Sequence, residues 1–471
     1  MRAQKLLTIL FIALIGVFAN QNASAQLSWW NPVGTIVAGN SGFNPGSQEL
    51  GTNGTSDTAL GAPYGICADG SGNIYIADFG HHRVQRWHVG DPFGTTVVGA
   101  TGVSGSDNAH LNGPTGVAFD HLGNLFVTDR QNNRVMKYAA ASINAIGNTG
   151  QTTSSVQGTL FCGGNAYGSA LKDVNAPTGI FITAGASDDS VYVSEGNDDT
   201  AGVYRVLRFP PNSSGSSSMG TIVAGGTHSH GIAITEVNLD HPTGIYVNAT
   251  TRDVYIADEG NARVQEWSEP YTTGVTVAGS ATGQHGSSNA LLSDPFGVWL
   301  DAYGNILVSD FSNSRIMEWS PGAAAGVLVI GHTDTANYDS VHLGYPYGIC
   351  LDANKNLFVT DDEYYVAKEF TGYYTGIKAI TSLISKVSLY PNPNMGSFTL
   401  QSTVDASLEG KNIYIVVMDM SGKIVMSTQA VVQNHAINKQ INVGAEIPNG
   451  VYQLQVISGN DKANSKFEVI R

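Results

Sequence analysis

Two kinds of side chain recur in this chain at positions that could do chemistry. One is histidine, with twelve copies, among them His81, His82, His110, His228, His230, His241, His285, His332 and His342. Three neutral imidazoles around an open position can hold zinc and activate a water or a substrate hydroxyl. The other is the carboxylate. Asp78, Asp129, Asp258 and Asp310 each stand five residues before an arginine: Arg83, Arg134, Arg263 and Arg315. Asp69, Asp120, Asp301 and Asp352 each end a short apolar run at a turn. Repetition of both acid sets points to architecture. The first set suits carboxylate–guanidinium pairs across a hairpin, and the second suits acceptors of backbone N–H groups in tight turns. The sequence holds no His-Glu-x-x-His, Gly-x-Ser-x-Gly, Walker or Cys-x-x-Cys motif and no twelve-residue calcium loop.

These residues sit in a unit that occurs six times. Its opening prolines are Pro63, Pro114, Pro177, Pro242, Pro295 and Pro346, spaced 51, 63, 65, 53 and 51 residues apart. A period of this size means that one unit cannot bury its apolar face alone and must stack on its neighbours. In the cleanest copy, Val117-Ala118-Phe119 and Leu125-Phe126-Val127 are short β-prone runs flanking the turn Asp120–Asn124. A third run spans Arg134 to Tyr138, and a fourth follows a glycine, as in Gly94–Gly99 and Gly220–Gly225. Four strands per unit and six units predict an all-β, six-bladed β-propeller. One fourth-strand motif, Gly34–Gly39, precedes the first unit and none follows the last. That order predicts that Thr35–Ala38 completes the final blade and ties the chain ends together.

The Pro-x-Gly-Val/Ile opening, the Gly-Asn before the second strand, the Asp ending it and the Asn-x-Arg-Val/Ile with a closing aromatic resemble the NHL repeat over roughly residues 34–372. In the third copy Glu195 replaces the Asp and an insertion precedes Arg205. In the sixth, Val366 stands where Arg is expected. An NHL-related family, the peptide α-hydroxyglycine amidating lyases, holds zinc with three histidines in the central cavity. Here the slot before the Pro-x-Gly strand reads Ala59, His110, Asp173, Asn238, Leu291 and His342, so two blades offer histidine. No cofactor is expected on this reading, and zinc and calcium both stay open.

The two ends differ from the middle. Arg2 and Lys5 precede the apolar run Leu6 to Ala19 and then Ala23-Ser24-Ala25, which predicts a signal peptide over residues 1–25. The propeller is expected over 26–372 and a linker over 373–387. Residues 388–471 alternate short strands with turns and predict a small C-terminal β-sandwich. There, Tyr390-Pro391-Asn392-Pro393, Ser421-Gly422-Lys423 and Asn449-Gly450-Val451-Tyr452 stand in the order found in the type A C-terminal sorting domain of the type IX secretion system, which this segment resembles. The resemblance implies the type IX machinery as a partner and a secreted or cell-surface location. No stretch approaches the length of a transmembrane span.

Charge narrows the partners. The net charge is −15 at pH 7, while residues 388–471 hold six basic and six acidic side chains. The acidic excess therefore lies in the propeller. Such a surface repels phosphate backbones and anionic lipid, which argues against nucleic acid as a ligand. Three cysteines do not make a disulfide framework. Cys67 and Cys350 share one slot in neighbouring units and are expected as buried thiols.

In a four-stranded blade, the loops before the first strand and after the second lie on one face of the ring, the upper face. Nine of the twelve histidines fall there. The expected binding surface is centred on Phe79, His81, His82, His110, Arg130, Phe311, His342, Tyr364 and Tyr365, with aromatics Phe79, Phe311 and Tyr364 in the contiguous units one, five and six. The expected function is a monomeric exported scaffold that binds a protein, peptide or glycan, with a metal-dependent propeller enzyme as the alternative.

Overall fold

The computed structural model describes residues 29–39, 56–165, 167–183, 185, 188–196, 203–226, 235–331, 340–373, 384–404, 408–419, 423–444, 447–458 and 461–471. The expected signal segment and the residues His228, His230 and His332 lie outside them. The chain divides into two units, one ending at Gly372 and one beginning at Tyr373.

The first unit contains six four-stranded antiparallel sheets. Blade 2 shows the plan: Pro114–Phe119, Leu125–Asp129, Arg134–Tyr138 and Thr159–Gly163 pair in that order. The inner strands pack on one another around a closed ring, with blade 6 against blade 1. The outer strand of blade 6 comes from the N-terminal segment. Thr35, Ile36, Ala38 and Gly39 pair with Glu369, Lys368, Ala367 and Val366. The fourth-strand motif that precedes the first unit is thus the closing strand.

Two glycine positions show why the repeat reads as it does. The glycine of Pro-x-Gly lies against the inner strand of the next blade. A methyl group there would collide with a backbone carbonyl: Gly65 with Thr115, Gly116 with Thr178, Gly179 with Thr243, Gly244 with Phe296, Gly297 with Tyr347 and Gly348 with Tyr64. Only hydrogen fits where two backbones approach this closely. The glycine opening each fourth strand lies on the aromatic that closes the third: Gly34 on Phe370, Gly94 on Trp87, Gly158 on Tyr138, Gly220 on Phe209, Gly274 on Trp267 and Gly326 on Trp319. Those rings are all buried. The two motifs form one packing device, and Gly34 shows that the closing strand uses it too.

Hydroxyls on the second strand join blades. Thr128 Oγ1 accepts Gly116 N–H and donates to Thr178 O of the next blade at 3.2 Å. Ser194, Ser309 and Thr360 repeat the link, and Thr360 reaches Tyr64 O across the closure.

The second unit is a sandwich. Ile384–Tyr390, Ser397–Val404 and Ala436–Asn442 form one sheet. Ile424–Val431, Asn412–Asp419, Gly450–Ser458 and Asp461–Val469 form the other. Phe398, Leu400, Ile415, Leu454, Val456 and Phe467 are among the residues packed between them. Its first strand starts at Ile384, inside the segment read from sequence as a linker, because those residues pair with the far end of Ser397–Val404. The sorting motifs hold the terminal strand. Asn392 Nδ2 donates to Lys466 O at 3.1 Å, and Asn392 Oδ1 accepts Glu468 N–H at 2.9 Å. Asn449 bonds both N and O of Arg471, at 3.0 and 3.1 Å. Tyr452 Oη donates to Pro448 O at 2.7 Å, and Lys423 N–H to Asp419 Oδ1 at 3.1 Å. Tyr390 is 80 % exposed. Ser421 and Gly422 lie outside the described residues.

Candidate functional site

The repeated acids build the upper face. Asp310 is fully buried. Its Oδ1 accepts Ser293 N–H of the loop before the first strand at 2.7 Å, and its Oδ2 accepts Arg315 Nε at 2.7 Å and Asn313 Nδ2 at 2.9 Å. Arg315 then donates to the carbonyls of Ser287, Ser288 and Leu291. The pair staples the long upper loop to its blade. Asp78–Arg83, Asp129–Arg134 and Asp258–Arg263 repeat this arrangement, and Glu195–Arg205 keeps it in the irregular third blade. In blade 6 the cation comes from two residues further on. Lys368 Nζ lies 3.9 Å from Asp361 Oδ2 and donates to His342 O at 2.6 Å. The other acid set serves the opposite turns: Asp120 Oδ1 accepts Asn124 N–H at 2.8 Å and Oδ2 accepts Asn124 Nδ2 at 2.7 Å.

This framework places several expected site residues. His81 is a correction: it is buried, with Nδ1 3.0 Å from Asp78 Oδ2, where Asn132, Asn261 and Asn313 serve in other blades. It belongs to the staple. Tyr364 is a second correction, being buried with Lys368 Nζ 5.3 Å above its ring. His82 Nδ1 accepts Gly113 N–H of the next blade at 3.1 Å. Burial, and then the neighbouring His81, lower its pKa, so the ring is neutral. His110 stays at the surface with Nδ1 2.8 Å from Asp107 Oδ1. His342 is half-buried and engaged through its carbonyl. Tyr365 is half-buried in the left-handed turn before the third strand of blade 6.

The upper mouth of the central channel is where the remaining residues meet. Two rings of positions define it. The second residue of each inner-strand motif reads Tyr64, Thr115, Thr178, Thr243, Phe296 and Tyr347. The residue after each second-strand acid reads Phe79, Arg130, Gly196, Glu259, Phe311 and Asp362. Blades 5, 6 and 1 therefore bring their aromatics together. Tyr64 stacks on Tyr347 at 4.1 Å between centroids and on Phe79 at 4.8 Å. Phe296 meets Tyr347 edge-on at 4.4 Å. Phe311 stacks on Tyr345 at 4.7 Å and tilts against Tyr347 at 4.8 Å. Apart from exposed Tyr345, these rings are half-buried. Phe79 and Phe311 were legible from sequence. Tyr64, Phe296 and Tyr347 were missed, although the variable position of Pro-x-Gly carried the signal. Below the mouth lies a cavity of about 330 Å³, walled by inner-strand residues such as Ile66, Val117, Ile180, Ile245, Val298 and Ile349.

Tyr347 Oη donates to Tyr64 Oη at 3.3 Å. Burial raises the pKa of both phenols, and the carboxylates of Asp362 and Glu259 add to it. Arg130 acts in the other direction on Tyr64. Asp362 is the unusual group. Its Oδ1 is buried and has no hydrogen-bond partner. Burial first, and then the adjacent Asp361, push its pKa up to about 6. A carboxylate whose folded pKa exceeds its unfolded value stabilises the fold below the unfolded value, near 3.8, and that contribution is lost as pH rises through about 6. Asp362→Asn is therefore expected to be more stable than the parent at pH 7.5, by about 1–3 kcal/mol, with the gap reduced to roughly a third of that at pH 4.5. Urea unfolding at the two pH values checks this. An equal gap at both would show that the carboxyl does not titrate between them.

The described residues show no three-histidine cluster. No histidine lines the cavity among the described residues, and none of their His, Cys, Asp and Glu side chains group to hold an ion. The slot residues Ala59, His110, Asp173, Asn238 and Leu291 each give their carbonyl to the arginine of their own blade.

Comparisons with known proteins agree with the architecture. Residues 60–87, 111–138 and 239–267 match the NHL repeat, and residues 388–470 match the secretion system C-terminal sorting domain. The chain thus carries NHL repeats followed by a C-terminal sorting domain. It is 35% identical over 79 residues to peptidyl-glycine alpha-amidating monooxygenase A of Xenopus laevis, covering 16% of this chain and 8% of that protein. It is 34% identical over 89 residues to a probable peptidyl-alpha-hydroxyglycine alpha-amidating lyase of Caenorhabditis elegans, covering 18% and 25%. The chain spans a quarter or less of either relative. Two solved structures from Bacteroides thetaiotaomicron share the fold. One is an auxiliary nutrient binding protein (TM-score 0.51, 13% identity, 74% of this chain and 77% of that one). The other is a protein of unknown function (TM-score 0.50, 15% identity, 72% and 76%). The sorting domain implies secreted or cell-surface export. No helix among the described residues is long and apolar enough to cross a membrane.

Proposed function

We propose that this chain is an exported, monomeric binding propeller that takes its ligand at the aromatic mouth of the channel. Residues 1–25 act as the signal for the first export step and the sorting domain engages the type IX machinery for the second. One observation carries the binding reading: Tyr64, Phe79, Phe296, Phe311 and Tyr347 pack on one another yet stay half-exposed around the opening. Rings held by each other lose little entropy when a ligand covers them, and their faces supply apolar contact to a peptide or a sugar. The local identity to amidating lyases supports a second reading, a metal-dependent enzyme. It is the weaker one because the cavity walls lack histidine among the described residues. Stoichiometric zinc in the purified propeller would favour it.

The test is a screen of the purified protein on peptide and glycan arrays. Phe311→Ala with Tyr347→Ala is expected to weaken whatever is captured, by about 1–3 kcal/mol for each ring that anchors the ligand. His121→Ala with Leu122→Ala, on the opposite face, is expected to leave capture intact. Loss in the opposite-face variant alone would sink the reading.

A further inference from the structure

The aromatic mouth contains a carboxylate for which the described part of the fold supplies no cation. Asp361 has Lys368, and the other second-strand acids have their arginines. Asp362, one residue on, takes the position that Phe79 and Phe311 occupy in the flanking blades. Its N–H donates to Tyr345 O at 3.0 Å, which holds it beside the stacked pair Tyr345–Phe311. Its charge reaches the phenols of Tyr64 and Tyr347. Its Oδ1 is buried without a hydrogen bond. A carboxylate oxygen buried without a donor is costly unless something brings it one. Near it lies the packed cluster of Tyr64, Tyr347, Phe311 and Tyr345, whose rings carry negative quadrupoles that attract cations where a face or edge of the cluster is open. Glu259 adds a second carboxylate to the same field and Arg130 a guanidinium, while the chain as a whole is acidic.

Resting on the reading of the mouth as the binding surface, we propose that the site takes an alkylammonium group on an aliphatic stem, as a lysine side chain of a peptide presents it. The ammonium meets Asp362 and the methylenes lie across the rings of Tyr347 and Phe311. A carboxylate beside packed aromatic faces is complementary to such a group at both ends. A neutral sugar would leave the Asp362 charge without a counter-ion, and an anion would be repelled by it.

Calorimetric or ligand-observed NMR titration of the full chain tests this. The probes are n-pentylamine, n-pentanol, N-acetyl-lysine methylamide and its Nζ-acetylated form. Salt of about 0.15 M screens exposed charges beyond roughly 8 Å. Both amines are expected to bind at least about tenfold more tightly than their uncharged counterparts, and Asp362→Asn to remove that preference while remaining folded by circular dichroism, a tenfold change being about 1.4 kcal/mol. A tighter lysine amide than pentylamine marks a peptide ligand, and the reverse marks a free amine; either supports the ammonium. If neither amine binds, or pentanol binds as tightly as pentylamine, or Asp362→Asn leaves the preference intact, the inference is overturned. Phe311→Ala with Tyr347→Ala separates the two levels. If the uncharged probes bind and lose affinity in this variant while charge makes no difference, the mouth stands and the ammonium falls. If no probe responds to either variant, both fall.

Discussion

Replacing Asp310 by alanine is expected to lower the unfolding free energy of the propeller by about 3–5 kcal/mol, the range for breaking one side of a buried ion pair. The size follows from what is left behind. Arg315 is 1 % exposed in its side chain and keeps its charge, yet loses its carboxylate. Ser293 N–H and Asn313 Nδ2 lose their acceptor as well. The loop carbonyls that Arg315 holds would then depend on a guanidinium with nothing to orient it. Asp69→Ala is the comparison. Asp69 accepts the N–H groups of Ser71 and Asn73 in a partly exposed turn, so its loss is expected to cost nearer 1 kcal/mol. Urea unfolding of the two variants against the parent measures both. A cost for Asp310→Ala no larger than for Asp69→Ala would mean that the acid is not part of the frame.

Deleting residues 29–39 is expected to open the ring. Trp30 and Val37 are buried, and their loss alone costs about 5–8 kcal/mol when the two side chains are summed as core truncations. The deletion also strips the ladder from Val366–Phe370 and leaves Phe370 without the glycine that covers it. A strand edge of this kind, Val-Ala-Lys-Glu-Phe, would face solvent in blade 6 and offer itself to other chains. The expected outcome is aggregation, or a melting temperature lower by roughly ten degrees or more. The check is differential scanning calorimetry with light scattering. A truncated protein that melts like the parent and stays monomeric would show that the ring does not depend on its closing strand.

These two variants differ in how far their basis could be read from the chain alone. The Asp-to-Arg spacing of five predicted a pair across a hairpin, and that pair is present, because two residues flanking a tight turn on antiparallel strands face each other whatever the rest of the protein does. What the spacing did not show is the second task of the acid, holding a loop that begins some twenty residues earlier. In blade 6 the sequence lacks the expected arginine, yet Lys368 fills the charge from the next position on the same face of the strand. Strand alternation permits that substitution, but only the packed blade shows that the longer reach succeeds.

The repeat, the strand order, the closing N-terminal strand and the sandwich at the C-terminus were all legible by sequence because they rest on local pattern: period-two alternation, turn residues, and glycines that recur at one place in each unit. The candidate site was legible only in part. Phe79, Arg130 and Phe311 stand at positions that the repeat marks as upper-face loops, and they do lie at the channel mouth. His81 and Tyr364 sit in the same loops and turn inward, His81 onto Asp78 and Tyr364 beneath Lys368 of their own blades. Tyr64, Phe296 and Tyr347 lie far apart in sequence and meet only because ring closure makes blades 5, 6 and 1 adjacent. Asp362 looked like one acid in a run of three. Its lack of a partner is a property of burial, which no single stretch of chain contains. Local chemistry decides which strand or turn a residue joins. Contacts between blades decide which of those residues share a surface, and that is where any binding chemistry resides.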